Sequence, residues 1–434
     1  MTVETAITPE LRKSRISAAC AFGVHAMLLV ALVTSLPSLV PILGLELRHV
    51  AYVVLALSII AAVGSTLMTL VAKRTSSAFS IRIALGMLVV SGLFLAFTPA
   101  ASESARLPLF CAAILIYGLS VGSIDATTNM QAVAIQRRYG RVILNSFHAV
   151  WSVGAIIGSL LVSAGQAIGD MAGFGPNKNA AGDVVSDPYL YPRYMWTMIT
   201  VVLILAVVSL IISPKMLEYG REKDSMVDEQ GNKIKFAAPM KAFAALCAAM
   251  AFFYAIDFGI QNWSPLYLEQ LLDADKATAP LGVTVYTIFG LIARSLADRV
   301  VNKLGEVKTL ALAAVVSIIG MIVVLTASNA IVAVVGFAIV GCGVPITAPL
   351  CFSTAGYLVP MEQLDEAIGR LNLFNYIGTL LGGGVVGLIS QGNMKVAMIF
   401  PLVMCVALVC LSPFFRRPTN LEAVEEGDKV GGCW

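Results

Sequence analysis

Twelve apolar runs, each about 20 residues or longer, dominate this chain, and that is the length needed to cross the hydrocarbon of a bilayer. They lie at approximately 16–45, 50–72, 83–101, 107–135, 142–169, 194–214, 236–268, 280–297, 309–327, 329–360, 371–391 and 394–415. A backbone in lipid must pair its own N–H and C=O groups, so runs of this length are expected as helices. The expectation is an all-α membrane protein with twelve transmembrane helices. With 58% apolar and 13% charged residues the 434-residue chain lies far from soluble domains.

The basic residues orient the spans. If the amino terminus is cytoplasmic, 23 of the 29 Lys and Arg fall on the cytoplasmic side, and only Arg48, Arg106, Lys178, Arg193, Lys276 and Lys395 fall outside. The positive-inside rule then places both termini in the cytoplasm of a multi-pass protein of the inner or plasma membrane. Arg12, Lys13 and Arg15 precede a run too long for a secretory leader and without a small-residue cleavage site, so it reads as a retained first span. The net charge of +3 is small and gives no nucleic-acid reading.

The hydrophilic segment Lys215–Lys235 carries no apolar run and divides the chain into six spans and six spans. The expected domains are an N-terminal six-helix bundle over 1–214, a cytoplasmic interdomain loop over 215–235, and a C-terminal six-helix bundle with its tail over 236–434. The outside loop 170–193 reads as a flexible connector. The halves also echo each other: Gly140-Arg141, Gly154 and Gly158 recur as Gly369-Arg370, Gly383 and Gly387, all at an offset of 229 residues. Two related bundles rocking about a central site are what alternating access requires.

Against this apolar background the polar residues inside spans stand out, because each is costly in hydrocarbon unless it faces a partner or a water-filled path. The stretch Ile116–Ile157 holds Asp125, Asn129, Gln131, His148 and Trp151. Asn129 shares a helix face with Asp125, four residues away, whereas Gln131 points elsewhere. Neutral imidazole at His148 can bind a hydroxyl or relay a proton, and Trp151, three residues on, can stack on a ring. In span seven Asp257 and Gln261 share a face beside Asn262 and Trp263; Asn372 and Asn375 lie three apart in span eleven; His25 is in span one. Pro345 and Pro349 in span ten predict an interrupted helix whose freed carbonyls need partners. Seven cysteines lie in apolar segments and read as small core residues. There is no nucleotide-binding loop, Ser–His–Asp arrangement or metal cluster, so neither an enzyme nor an ATP-driven pump is expected, and no cofactor.

Span eight ends in GLIARSLADR, Gly290 to Arg299, and here the chain resembles the major facilitator superfamily. Such loop charges latch the two bundles in that family, which implies a gating role for Arg294 and Asp298, one turn apart on one face. The matching segment of the first half, LVAKRTSS at Leu70–Ser77, lacks the acidic residue. Within the superfamily, SIDATTN (Ser123–Asn129), NSFHAVWSVGAIIG (Asn145–Gly158) and DFGIQNWSPLYL (Asp257–Leu268) resemble the branch of fucose–proton symporters and sugar-permease-like proteins. The resemblance implies proton coupling through Asp125, with His148 and Asp257 as further candidates. The candidate substrate contacts are Asn129, His148, Trp151, Asp257, Gln261, Asn262, Trp263, Asn372, Asn375 and His25. Relatives carry a second carboxylate in span one; none occurs here between Arg15 and Leu45. The implied activity is proton-coupled import of a small polar, sugar-like solute by a monomer whose partners are that solute, protons and the bilayer; proton-coupled efflux of drug-like or amphipathic compounds is the alternative.

Overall fold

A computed structural model describes residues 7–45, 48–174, 177–178, 184–186, 189–218, 236–275, 278–386, 389 and 393–417. The helices, in order, are α1 Pro9–Ile42, α2 Arg48–Arg74, α3 Ser77–Phe97, α4 Glu103–Tyr139, α5 Leu144–Met171, α6 Leu190–Ile212, α7 Met240–Leu272, α8 Leu281–Leu304, α9 Glu306–Thr326, α10 Ala330–Gly341, α11 Thr347–Ala355, α12 Leu364–Leu380, α13 Met394–Ala397 and α14 Ile399–Leu411. Among the described residues eleven helices are long and apolar enough to cross a membrane, the α10–α11 pair counting as one and α13–α14 as another. The expected span at 371–391 is α12, which passes at Leu381–Val385 into a π-turn; its sequence there, LGGGV, removes the side chains that would brace an α-helical ladder. Helix starts follow local chemistry: Ser76 caps α3 by accepting from Phe79 N at 3.1 Å, and Asn329 caps α10 by accepting from Val332 N at 3.1 Å.

The described chain divides into two compact units. One comprises Pro9–Thr128 and Val150–Glu218; the other comprises Met1–Thr8, Asn129–Ala149 and Tyr219–Trp434. The facing ends of α4 and α5, with the turn between them, therefore pack with the second half of the sequence. Of the 215–235 loop, the part from 219 lies outside the described residues, as does the tail from 418. The 170–193 connector has more order than its composition predicts. Asn177–Lys178 and Val184–Ser186 pair as antiparallel strands β1 and β2, and Arg193 ties the loop base to Asp170 at 3.2 Å.

In the first unit the core is an apolar cluster of α1, α3, α4 and α6 that includes Leu28, Leu32, Leu88, Tyr117 and Val202. Glycines set the closest crossings. A Cβ on Gly154 or Gly158 of α5 would meet the backbone of Gly23 or Met27 of α1, and one on Gly122 of α4 would meet Ala61 O of α2. The second unit repeats the device: Gly378 and Gly382 abut Ala251 O and Ala255 O of α7. The repeat is thus real in packing, but its register differs from the 229-residue offset. Gly383 has nothing within 4 Å of a built Cβ, and Gly387 lies outside the described residues. Close backbone approach, not sequence identity, selects the equivalent glycines.

Candidate functional site

The second unit holds a polar constellation on α7, α8 and the break after α10. Asp257 is buried at 8% exposure on α7. Its Oδ1 accepts from Tyr286 OH at 2.6 Å and its Oδ2 from Gln261 Nε2 at 2.6 Å. The expected face-sharing of Asp257 and Gln261 is therefore a direct bond, and Tyr286 of α8 completes it. Both oxygens of a buried carboxylate are satisfied by neutral donors, the arrangement an ionised carboxylate requires in apolar surroundings.

Farther along α8, Arg294 meets the backbone at a proline. Pro349 has no N–H, so the carbonyl four residues earlier, on Pro345, loses its helical donor; Arg294 Nε supplies one at 3.0 Å. The freed carbonyl predicted from the Pro345/Pro349 pair has found its partner in a cation. The helix breaks there as expected, with α10 ending at Gly341, a 3₁₀ turn over Val344–Ile346, and α11 resuming at Thr347. Tyr286, Gly290 and Arg294 recur every four residues along one face of α8, and Gly290 lets that face close on Pro345, whose Cγ would stand 3.0 Å from a built Cβ. His148, on the part of α5 that belongs to this unit, stacks near Phe352 of α11 with centroids 6.3 Å apart. Sequence spacing alone could have found Tyr286; it was missed because a tyrosine in a span reads first as core.

Other candidates fall elsewhere. Asn375 Nδ2 donates to Asn372 Oδ1 at 2.7 Å, both side chains buried on α12. Asn262 is exposed and donates back to Phe258 O of its own helix at 2.8 Å, so it does not join Asp257 and Gln261. The Trp263 indole Nε1 is buried with no hydrogen-bond partner among the described residues. Asn129 is fully buried in the second unit. In the first unit Asp125 and Trp151 are half-buried. The hydroxyls around Asp125 serve the helix itself, Thr127 donating to Ser123 O at 2.8 Å and Thr128 to Ile124 O at 2.7 Å. His25 is 3% exposed in that unit, with both ring nitrogens lacking a partner among the described residues. A groove of ≈ 610 Å³ between α5 and α6, lined by Leu161, Ile168, Phe174, Pro192 and Trp196, is largely apolar and touches none of the predicted residues.

Of Arg294 and Asp298, expected as a gating pair, Arg294 donates to Pro345 O and Asp298 meets the start of α5. Asp298 binds the start of α5: Oδ1 accepts from Asn145 N and Asn145 Nδ2, each at 3.0 Å, and Oδ2 from Ser146 N at 2.9 Å. Gln136 of α4 accepts from Ile143 N and Leu144 N at 3.1 and 3.2 Å while donating to Ser353 Oγ at 2.8 Å. Asn302 of α8 accepts from Val142 N at 3.0 Å and donates to Val142 O at 2.8 Å. Five consecutive N–H groups, orphans at any helix start, are thus capped by side chains of α4 and α8. Nearby, Arg137 donates to Val359 O at 2.9 Å. Gln136 and Asn302 were not foreseen, since single polar residues near helix ends carry no distinctive spacing.

Comparison with known proteins adds the following. The family model for the Major Facilitator Superfamily matches residues 137–362 and 243–431. An uncharacterized MFS-type transporter of Yersinia pestis is 28% identical over 302 residues, 69% of each chain. An uncharacterized transporter of Sinorhizobium fredii is 23% identical over 75% of this chain and 79% of its own, and the membrane protein MosC of Rhizobium meliloti 23% over 71% and 68%. Among solved structures, the transporter FucP in its outward conformation superposes with a TM-score of 0.73 at 16% identity, covering 93% of this chain and 98% of that one. The proton:xylose symporter XylE gives 0.66 at 14% identity, covering 95% and 98%. The human organic anion transporter MFSD10 gives 0.70 at 12% identity, covering 94% and 100%. At these identities the structural matches show a shared fold.

Proposed function

Because this chain belongs to the major facilitator superfamily, we propose that it is a proton-coupled importer of a small polar solute, working by alternating access. The observation that carries the reading is the Asp257–Tyr286–Gln261 constellation, a buried ionisable group inside a membrane span. Such groups are costly in hydrocarbon and are kept where ions or polar ligands pass. Asp257, and Asp125 in the first unit, are the proton carriers of this scheme; His148, Gln261 and Asn129 offer donors and acceptors for a hydroxyl-rich solute. The similarity to FucP and XylE supports a sugar-like substrate.

Asp298 and Gln136 serve as the latch. Their caps on α5 have to be released for the ends of α4, α5 and α8 to part, and the helix dipole favours an anion at that start. Both termini are assigned to the cytoplasm, which puts this latch on the cytoplasmic side, and the working unit is the monomer.

The test is uptake by the purified chain in proteoliposomes under an imposed inward proton gradient. Concentrative uptake of a polar solute is expected, with loss in Asp257→Asn and Asp125→Asn and retention of exchange without a gradient. Extrusion of amphipathic compounds under the same gradient, with no uptake of any polar solute, defeats the reading.

A further inference from the structure

The groove between α5 and α6 plays no part in the transport scheme above. Its floor forms where Gly165 and Gly169 of α5 let α6 close in, a built Cβ meeting Thr197 Oγ1 at 2.2 Å and Arg193 Cδ at 2.4 Å. Its hydroxyl protons are spent within α6, Thr197 donating to Arg193 O at 2.8 Å and Thr200 to Trp196 O at 2.9 Å. Leu161, Ala164, Ile168 and the exposed Trp196 line the rest, so the groove fits an apolar chain.

Its length points to the occupant. From Leu161 to Ala172 the α5 wall rises about 16 Å at about 1.5 Å per residue, and half of the roughly 30 Å hydrocarbon core is about 15 Å. The groove is therefore one leaflet deep. Empty apolar space forfeits dispersion contacts, and the apolar chain of that reach beside any span is a lipid tail.

The mouth of the groove adds selectivity. Phe174 and Tyr189 meet there edge to face with centroids 5.0 Å apart, and aromatic rings gather at the headgroup level. Arg193 Nη1 donates to Asp170 Oδ1 at 3.2 Å and to Phe174 O at 2.5 Å. Arg193 lines the groove, with its side chain 11% exposed, while Asp170 lies beyond the lining and is 56% exposed. From the tail outward the order is guanidinium, then carboxylate. A zwitterionic headgroup presents the matching order, phosphate and then ammonium, and guanidinium–phosphate contacts are among the strong ones. An anionic headgroup without an ammonium meets the exposed carboxylate as a like charge.

We propose that this groove is a lipid-binding site: one acyl chain of a phospholipid lies along it, with the phosphate at Arg193 and the ammonium of an ethanolamine-type headgroup at Asp170. The orientation proposed above places it in the outer leaflet. A tail gains little by leaving other tails for an apolar wall, so the preference resides in the headgroup. The proposal stands apart from the importer reading.

Trp196 supplies the test. The full-length chain is reconstituted in phosphatidylglycerol with a minority of phosphatidylethanolamine carrying brominated acyl chains, and the Trp196 signal is the fluorescence difference between wild type and Trp196→Phe. Bromine quenches on contact, so unselective lipid removes a share of that signal equal to the brominated share of the bilayer. The expected loss is at least threefold that share, and with the labels exchanged, brominated phosphatidylglycerol as the minority removes less than its share. Ala164→Phe, which fills the groove from an exposed position, and Asp170→Asn, which removes the partner of the ammonium, each return the loss to the bulk share. Quenching at the bulk share in the wild type overturns the site. So does an absence of quenching by either lipid, which means that the 179–183 segment or a second copy of the chain covers the groove. Selective quenching that survives Ala164→Phe overturns the groove as its place, and selective quenching that survives Asp170→Asn overturns the headgroup assignment.

Discussion

At the scale of single residues the constellation depends on Asp257 and the two neutral donors that hold it. Tyr286→Phe keeps the ring and deletes one hydrogen bond to a charged oxygen, a change of about 1.5–3 kcal/mol for such bonds. The expected outcome is a folded protein whose transport falls roughly ten- to a hundredfold and whose pH profile shifts, checked by uptake rates across a pH series. Gln261→Leu removes the other donor and is expected to act in the same sense, whereas Asn262→Leu, at a side chain bonded to Phe258 O of its own helix, is expected to change rates less than twofold. Sequence reading placed Asp257 and Gln261 together correctly because i, i+4 spacing on a helix fixes a shared face. It attached Asn262 to them only by adjacency, and adjacency on a helix is a turn of about 100° away from the shared face.

Among the helices, prolines and glycines decide what meets what. Pro349→Ala returns an N–H opposite Pro345 O, in competition with Arg294 Nε. The expected result is a straighter α10–α11 segment, an arginine released from its tether, and transport lowered severalfold with little loss of folded yield, measured by uptake and thermal unfolding in parallel. The glycine crossings give a sharper contrast. Gly378→Ala puts a Cβ against Ala251 O and is expected to cost about 1–3 kcal/mol, as overpacking does. Gly383→Ala, with open space around it, is expected to leave the unfolding temperature nearly unchanged. At the latch, Asp298→Ala strips the caps from Asn145 N and Ser146 N; Ser146 N keeps Ile143 O at 3.1 Å, whereas Asn145 N is left buried and unsatisfied at about 1–3 kcal/mol. An increase in labelling of a cysteine placed at Ser353, read from the cytoplasmic side, is the expected consequence. Of these features the broken helix was legible in advance, because proline chemistry is local. The register of the glycine repeat was not, because which glycine touches a neighbouring backbone depends on how two helices cross.

For the molecule as a whole, spans were readable because hydropathy is a property of each segment alone: eleven of the twelve expected runs are helices long and apolar enough to cross a membrane among the described residues, with ends shifted by a few residues. The capped start of α5 was not, since it joins Gln136, Asp298 and Asn302 from separate parts of the chain to one turn. The orientation of the molecule rests on the uneven spread of its Lys and Arg, and it yields a prediction independent of any substrate. Basic residues resist translocation more than acidic ones promote it, so the side bearing Arg137, Arg138 and Arg141 is expected to stay in the cytoplasm. A periplasmic alkaline phosphatase reporter fused after Arg417, or in place of the 219–235 segment, is then expected to be inactive, and one inserted in the 179–183 segment between β1 and β2 active. The reverse pattern inverts the molecule, moves the Asp298–Gln136 latch to the outer face, and turns the importer reading into its opposite. A mixed pattern, with the two ends on different sides, means that one of the helices long enough to span does not do so, and the twelve-span count fails before any question of substrate arises.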